Sequence, residues 1–322
     1  MRMDWADRIG RRIRLRDLHV VLAVAEQGSM AKASAHLSVS HPVISKTVAE
    51  LERTLGVRLF DRSSQGVELT TYGAALLKCG VTVFDEMRQG LKHLEALTDS
   101  TSGELSIGCA EISTAGLLPP IVERFSQQYP RMRLQVVLTQ AGMLQIRELR
   151  ERKIDLWIGV LPEASPADDL AFEFLFDEPF LAVAGATSKL ASRRHVDLKG
   201  LLDEPWVLPP YDSVPGSRIA KIFSASNLVP PQPSIATLSG QLTVALIASG
   251  RFIGVLPRSV ARFNARRAGL KILSVDLPAV RVAAGIVTIK NRTLSPSANR
   301  FIDCVREVAK NSFRKKFDRQ PS

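Results

Sequence analysis

Three cysteines in 322 residues, Cys79, Cys109 and Cys304, are too few to build a disulfide framework. They also lack metal-ligand spacing, a usage that fits a reducing compartment. His19, His36, His93 and His195 show no ligand spacing with cysteines or carboxylates, so no metal is expected. No uninterrupted apolar run reaches the roughly eighteen residues that span a bilayer. Met1 to Arg16 is charged throughout and lacks the apolar stretch of a secretory signal, so the expectation is a cytoplasmic protein with no membrane partner. Also missing are a phosphate-cradling glycine loop, a Gly-x-Ser-x-Gly elbow, a zinc motif and a convincing acid–base pair. Neither an enzyme nor a bound cofactor is expected.

What is present is ample apolar material, 45% of the chain, enough for two or three packed domains. The net charge of +11 favours a polyanionic partner, but residues 1–102 hold 14 Lys+Arg against 12 Asp+Glu, leaving +9 for the remainder. Arg2, Arg8, Arg11, Arg12, Arg14 and Arg16 form a basic arm, read either as a phosphate-contacting segment or as a solvated tail. The argument for nucleic acid therefore rests on pattern more than on net charge.

That pattern lies between Leu18 and Leu69. Leu18, Val21, Leu22 and Ala25 recur at helical spacing, Gly28 ends the run, and Ser29 stands as the next N-cap. Ala31, Ala33, Ala35 and Leu37 give a second helix a small-residue surface, and Ser38-Val39-Ser40 is a short turn closing on a cap. Pro42 sits in the first turn of a third helix whose Ile44, Val48, Leu51 and Leu55 share one face. Pro42, Ser45, Lys46, Ala49 and Arg53 project from the opposite face, with Ser40 at the cap and His41 at the edge. A cation and a hydroxyl thus stand near the helix N-terminus, the end that reads base edges. After Gly56 the period changes from about 3.6 to about 2. Val57–Phe60 and Val67–Leu69 alternate around a turn-rich Asp61–Gly66, which predicts a wing with Arg62 near its tip, in reach of a phosphate or a minor groove. These are the parts of a winged helix-turn-helix. A helical corner carrying solvated charges is the alternative.

From Thr71 to Thr98 the chain lacks proline, and Leu77, Phe84, Leu91 with Met87, Leu94 form a heptad seam interrupted by Gly80. It reads as a linker helix for dimerisation; packing of the stripe on its own DNA-reading domain is the alternative. Asp99–Ser102 is a short hinge. Beyond it, strand-like runs (Leu105–Cys109, Leu134–Leu138, Leu156–Val160) alternate with helical patterns at Leu117–Tyr129 and Gln145–Arg152, the signature of βαβ units in a parallel sheet. A second set, Trp206–Leu208, Ser217–Ser226, Gln241–Ser249 and Phe252–Leu256, makes another lobe. Ile272–Val275 and Val282–Ile289 then return to the first sheet, and a helix from Ser295 to Val308 closes the domain. Two such lobes leave a cleft at the carboxyl ends of their strands, where helix N-termini favour an anionic ligand. Ser113 and Thr114 fall on the first strand-to-helix loop, Thr139 and Gln140 after the second strand, Ser213, Pro215 and Gly216 in the second lobe, and Ser239 before its next helix. Each hydroxyl can instead be only a helix cap. Cys109 ends an apolar strand and reads as core rather than as a redox sensor.

The stretch AVAEQGSMAKASAHLSVSHPVISKTVAELERTLGVRLFDRSSQGVELTTYGAALL resembles the DNA-binding domain of LysR-type transcriptional regulators. LFDEPFLAVAG at 175–185 and SGRFIGVLPRSVA at 249–261 resemble phrases of that family's effector domain. Two departures stand out: Ala31 where the family often has Thr or Ser, and His41 where it usually has Gln. The resemblance implies an α/β protein with an N-terminal winged helix-turn-helix, a long linker helix and a two-lobed effector domain like a periplasmic binding protein. The corresponding boundaries are 1–70, 71–98, a hinge at 99–102, an effector domain at 103–311 and a basic tail at 312–322. Lobe 1 is expected at 103–185 and 268–311, and lobe 2 at 186–267. The implied partners are double-stranded DNA, a small effector (a carboxylate on the cleft argument), other copies as homodimer and homotetramer, and RNA polymerase. A solute-binding protein of a transport system is the alternative, since the two-lobed half alone fits that architecture.

Overall fold

The computed structural model describes residues 12–63, 66–99, 101–139, 145–161, 168–278, 280 and 282–314. Arg2, Arg8, Arg11, Gln140 and the side chains of the basic tail lie outside the described residues. Two compact units divide the chain at Gly90 and Leu91.

In the first unit, α1 (Leu15–Gln27), α2 (Met30–His36) and α3 (His41–Leu55) enclose a core of Val21, Val24, Ala33, Ile44, Val48 and Leu51. Gly28 and Gly56 close α1 and α3 with φ of 63° and 74°, a left-handed conformation that glycine adopts without a Cβ penalty. Ser38 adopts φ 53° in the α2–α3 turn. Strands β1 (Phe60–Ser63) and β2 (Gly66–Leu69) pair antiparallel as the wing, and the Val67 N–H donates to the Gly28 carbonyl at 3.1 Å. The strand starts at Phe60, later than the alternation from Val57 suggests. Arg62 lies within the strand opposite Val67, not in the turn. Glu52 on α3 ties the start of this strand to the helix, its Oε1 accepting from the Leu59 and Phe60 N–H groups at 2.7 and 3.3 Å.

Helix α4 (Thr71–Thr98) follows, 28 residues long. Its apolar stripe does not behave uniformly. Phe84 rests on His19 with ring centroids 5.7 Å apart, and a Cβ on Gly80 would lie 2.7 Å from Leu22 Cδ1, so this glycine is where α1 comes close. Phe84 thus follows the alternative reading and Leu77 is half-buried, whereas Met87, Leu91, Leu94 and Leu97 are exposed, Leu97 at 84%.

The second unit carries two five-stranded sheets. Its elements run β3 (Ser102–Ala110), α5 (Glu111–Thr114), α6 (Leu118–Gln128), β4 (Arg131–Thr139), α7 (Gln145–Arg150), β5 (Leu156–Val160), β6 (Leu170–Asp177) and β7 (Phe180–Gly185). They continue with β8 (Trp206–Leu208), α8 (Val214–Ala225), β9 (Ile235–Ala236), α9 (Gly240–Ala248), β10 (Ile253–Pro257), α10 (Arg258–Arg267), β11 (Leu270–Ile272), β12 (Ala283–Ile289) and α11 (Pro296–Val308). Lobe 1 has the order β4-β3-β5-β12-β6 and lobe 2 the order β11-β7-β10-β8-β9. β3, β4 and β5 are parallel, as the βαβ pattern predicts, but β12 runs antiparallel to both β5 and β6, so the sheet is mixed.

The expected lobe boundaries need correction. β7 and β11, assigned from sequence to lobe 1, belong to the lobe 2 sheet, where they pair with each other. The chain crosses at Glu178-Pro179 and again between β11 and β12. Pro179 has no N–H to continue a ladder and, after Asp177 and Glu178, separates the apolar residues of 175–185 into two strands in different sheets. The crossing is pinned from both sides. Glu178 N–H donates to the Val282 carbonyl at 2.7 Å, its Oε1 accepts from Ser259 N–H at 2.9 Å, and Arg258 Nη2 donates to the Asp177 carbonyl at 2.9 Å.

Candidate DNA-reading face and interlobe cleft

The polar side of α3 emerges as the sequence predicts. Ile44, Thr47, Val48 and Leu51 are buried, while His41, Pro42, Lys46 and Arg53 are exposed and Ser45 is half-buried. Ser40 occupies the N-cap position without a side-chain capping bond, and Arg62 is exposed on β1. Lys46 Nζ lies 3.9 Å from Glu50 Oε1, with the lysine side chain 77% exposed. An exposed pair of this kind is worth about 0–1 kcal/mol and leaves the lysine free to reorient. Val39 and Val43 are exposed beside this face and were missed by reading only its polar members; an apolar side chain there suits a thymine methyl group.

In the second unit, the segments that follow β3 and β5 in lobe 1 reach lobe 2, α5 against α9 and the Leu161 carbonyl against α8. Thr139 is buried at the end of β4, where its Oγ1 donates to the Cys109 carbonyl at 3.3 Å and accepts from Trp157 Nε1 at 3.0 Å. Ser113 is buried, and Thr114 Oγ1 turns back to the Glu111 carbonyl at 2.6 Å. Ser213 caps α8, accepting from Gly216 N–H at 3.1 Å; Pro215 is half-buried and Gly216 buried in the same turn. Ser239 caps α9, accepting from Leu242 N–H at 3.3 Å. Helix capping or internal bonding therefore occupies the hydroxyls of Thr114, Thr139, Ser213 and Ser239.

Side chains outside the expected set bridge the lobes, Arg218 and Glu111 among them. Arg218 on α8 donates from Nη2 to the Leu161 carbonyl just past β5 at 3.2 Å. Glu111, the first residue of α5, seats its carboxylate on the first turn of α9. Gly240 N–H donates to Oε2, while Ser239 Oγ and Gln241 N–H approach Oε1 at 3.3 and 3.5 Å. The sequence signal for Glu111 was a lone carboxylate immediately after an apolar strand. Cys109 is fully buried, and burial, aided by the charge of Glu111, pushes its thiol up to about 11. A thiol this reluctant to ionise is a poor oxidant sensor, in keeping with the core reading. Among the described residues no helix is long and apolar enough to cross a membrane.

Two family matches cover these units. Residues 15–74 match the bacterial regulatory helix-turn-helix proteins of the lysR family, and residues 98–310 match the LysR substrate binding domain. The chain belongs to the LysR family of transcriptional regulators. It is 29% identical over 305 residues to the HTH-type transcriptional regulator YdcI of Escherichia coli, covering 95% of this chain and 99% of that one. It is 27% identical over 313 residues to GbpR of Azospirillum brasilense, covering 97% and 91%. A full-length OxyR from Pseudomonas aeruginosa superposes with a TM-score of 0.65 at 22% identity, covering 91% of this chain and 97% of that one. CbnR complexed with its target DNA gives 0.53 at 22%, covering 92% and 100%. At that identity the solved structures speak for the fold. As a LysR-family member the chain is a DNA-binding transcriptional regulator with an effector-binding domain, so the transport reading falls away.

Proposed function

We propose that the α3 face reads operator DNA. Lys46 and Ser45 would reach base edges in the major groove, Ser40, His41, Pro42 and Arg53 would line the groove, and Arg62 of the wing would hold the backbone or the adjacent minor groove. The observation that carries this is the two-sided character of α3, with its apolar face sealed in the core and its N-terminal polar face exposed. Two copies joined through the exposed Met87, Leu91, Leu94 and Leu97 of α4 would fix the half-site spacing, and pairing of dimers would give a tetramer. The protein works in the cytoplasm as a binding protein, not a catalyst.

The effector is proposed to be a small anionic molecule, a carboxylate, held between the carboxyl ends of β4 and β5 and α8, with Arg218 as the cation and Thr139, Gln140, Ser213, Pro215 and Gly216 around it. Ser113, Thr114 and Ser239 lie toward the α5–α9 contact. Binding would shift the relative populations of subunit arrangements on DNA, and with them DNA bending and contact with RNA polymerase. The test is a footprint on the same operator with and without candidate carboxylates from the neighbouring operon. A changed pattern at similar affinity supports the reading, and an unchanged pattern with every candidate opposes it.

A further inference from the structure

The α5–α9 contact carries an inference beyond effector binding. Glu111 comes from lobe 1, and all three groups offered to its carboxylate come from the first turn of α9 in lobe 2. Backbone N–H groups at a helix start point outward with the positive end of the helix dipole, so a carboxylate there is held by charge-assisted bonds in a directional cradle. The fit is close as well as polar. A Cβ on Gly240 would stand 2.8 Å from Ile112 Cδ1, 3.1 Å from Glu111 Oε2 and 3.2 Å from Ile112 Cα, so the two lobes meet at a position that a larger residue would wedge apart. Ile112, beside Glu111, packs onto the lobe 2 cluster of Val244, Ile247, Val260 and Ala261. The same side of the domain is bound by Asn264 Nδ2, which reaches the Ala115 carbonyl at 2.6 Å.

We propose that Glu111 is a positioning residue for the effector response: its carboxylate latches lobe 1 to α9 and fixes the angle at which the two lobes meet, and a ligand in the cleft acts on the protein by strengthening or releasing this latch. The regulatory half of this proposal rests on the function proposed above; the latch itself does not. Its consequence for specificity is that the start of α9 is already neutralised from within, so the anionic group of the effector is directed to the α8 side of the cleft.

The test is amide hydrogen exchange on the full chain, read at Gly240 and Gln241, for the wild type, Glu111→Gln and Glu111→Ala. Glu111→Ala is expected to speed exchange at these two amides by tenfold or more while those of Ile107 on β3 and Val255 on β10 keep their rates. Glu111→Gln, which keeps one acceptor oxygen, falls between, and acetate at high millimolar concentration slows exchange in Glu111→Ala but not in the wild type. Unchanged rates at Gly240 and Gln241, or acceleration spread evenly through both sheets without rescue by acetate, would overturn the latch. A footprint without added ligand separates the second half. A shifted pattern for Glu111→Gln supports control through the latch, whereas a wild-type pattern alongside accelerated exchange overturns that control. Absence of any wild-type footprint indicts the DNA-reading proposal instead.

Discussion

Lys46 and Arg62 sit on the same unit but should fail differently when removed. Lys46→Ala is expected to cost about 1–3 kcal/mol on the operator and little on random DNA, and Ser45→Ala to act in the same selective direction, because base contacts discriminate. Arg62→Ala should weaken all DNA binding and lower the salt slope by about one, the signature of a lost phosphate contact. Titrations on operator and scrambled duplexes at several salt concentrations check both, and an unchanged operator affinity for Lys46→Ala would contradict the assigned face. The cysteines give a second residue-scale expectation. Burial pushes the Cys109 and Cys304 thiols up to about 11, whereas Cys79 is exposed. At pH 8 a disulfide reagent should therefore label Cys79 alone in the folded protein. Labelling of the other two should require unfolding or rise as pH climbs toward 11, since only the thiolate attacks. Fast labelling of Cys109 at pH 8 would reopen a redox role.

Among elements, the helices were the most legible in the sequence, and the reasons are visible in α3 and α4. A steady apolar stripe, glycine at the C-cap and absence of internal proline fix a helix locally, so α4 spans Thr71–Thr98 as anticipated. Strand membership was not local. The segment 175–185 is apolar on both sides of Asp177-Glu178-Pro179, and which sheet each half joins depends on partners such as Ala283 and Ile253, far away in sequence. Pro179 was the available signal. The cleft was legible as loops but not as contacts, because a serine before a helix has one sequence signature whether it caps the helix or faces a ligand, and Glu111 and Arg218 act on partners 129 and 57 residues away. Two substitutions test element-level forces. Ser38→Gly relieves a left-handed non-glycine residue in the α2–α3 turn and should raise stability by about 0.5–1 kcal/mol in denaturant titration. Glu52→Ala leaves the Leu59 and Phe60 N–H groups without their acceptor and should lower the stability of the DNA-reading unit by about 1–3 kcal/mol, loosening the wing and operator binding with it.

At the scale of the whole molecule, function depends on joining units that each have their own core. The exposed Met87, Leu91, Leu94 and Leu97 on α4 are the apolar surface proposed to join copies, and Leu94→Glu combined with Leu97→Glu should shift the protein toward monomer in sedimentation and abolish cooperative operator binding while leaving the thermal transition of the effector domain in place. Regulation of this kind requires a paired reading face that recognises a defined operator. The most direct measurement is footprinting of the protein across its own genomic DNA at physiological salt. Discrete protected pairs of half-sites, set apart by whole helical turns, are the predicted result. Diffuse protection that follows salt concentration alone would contradict sequence-specific regulation.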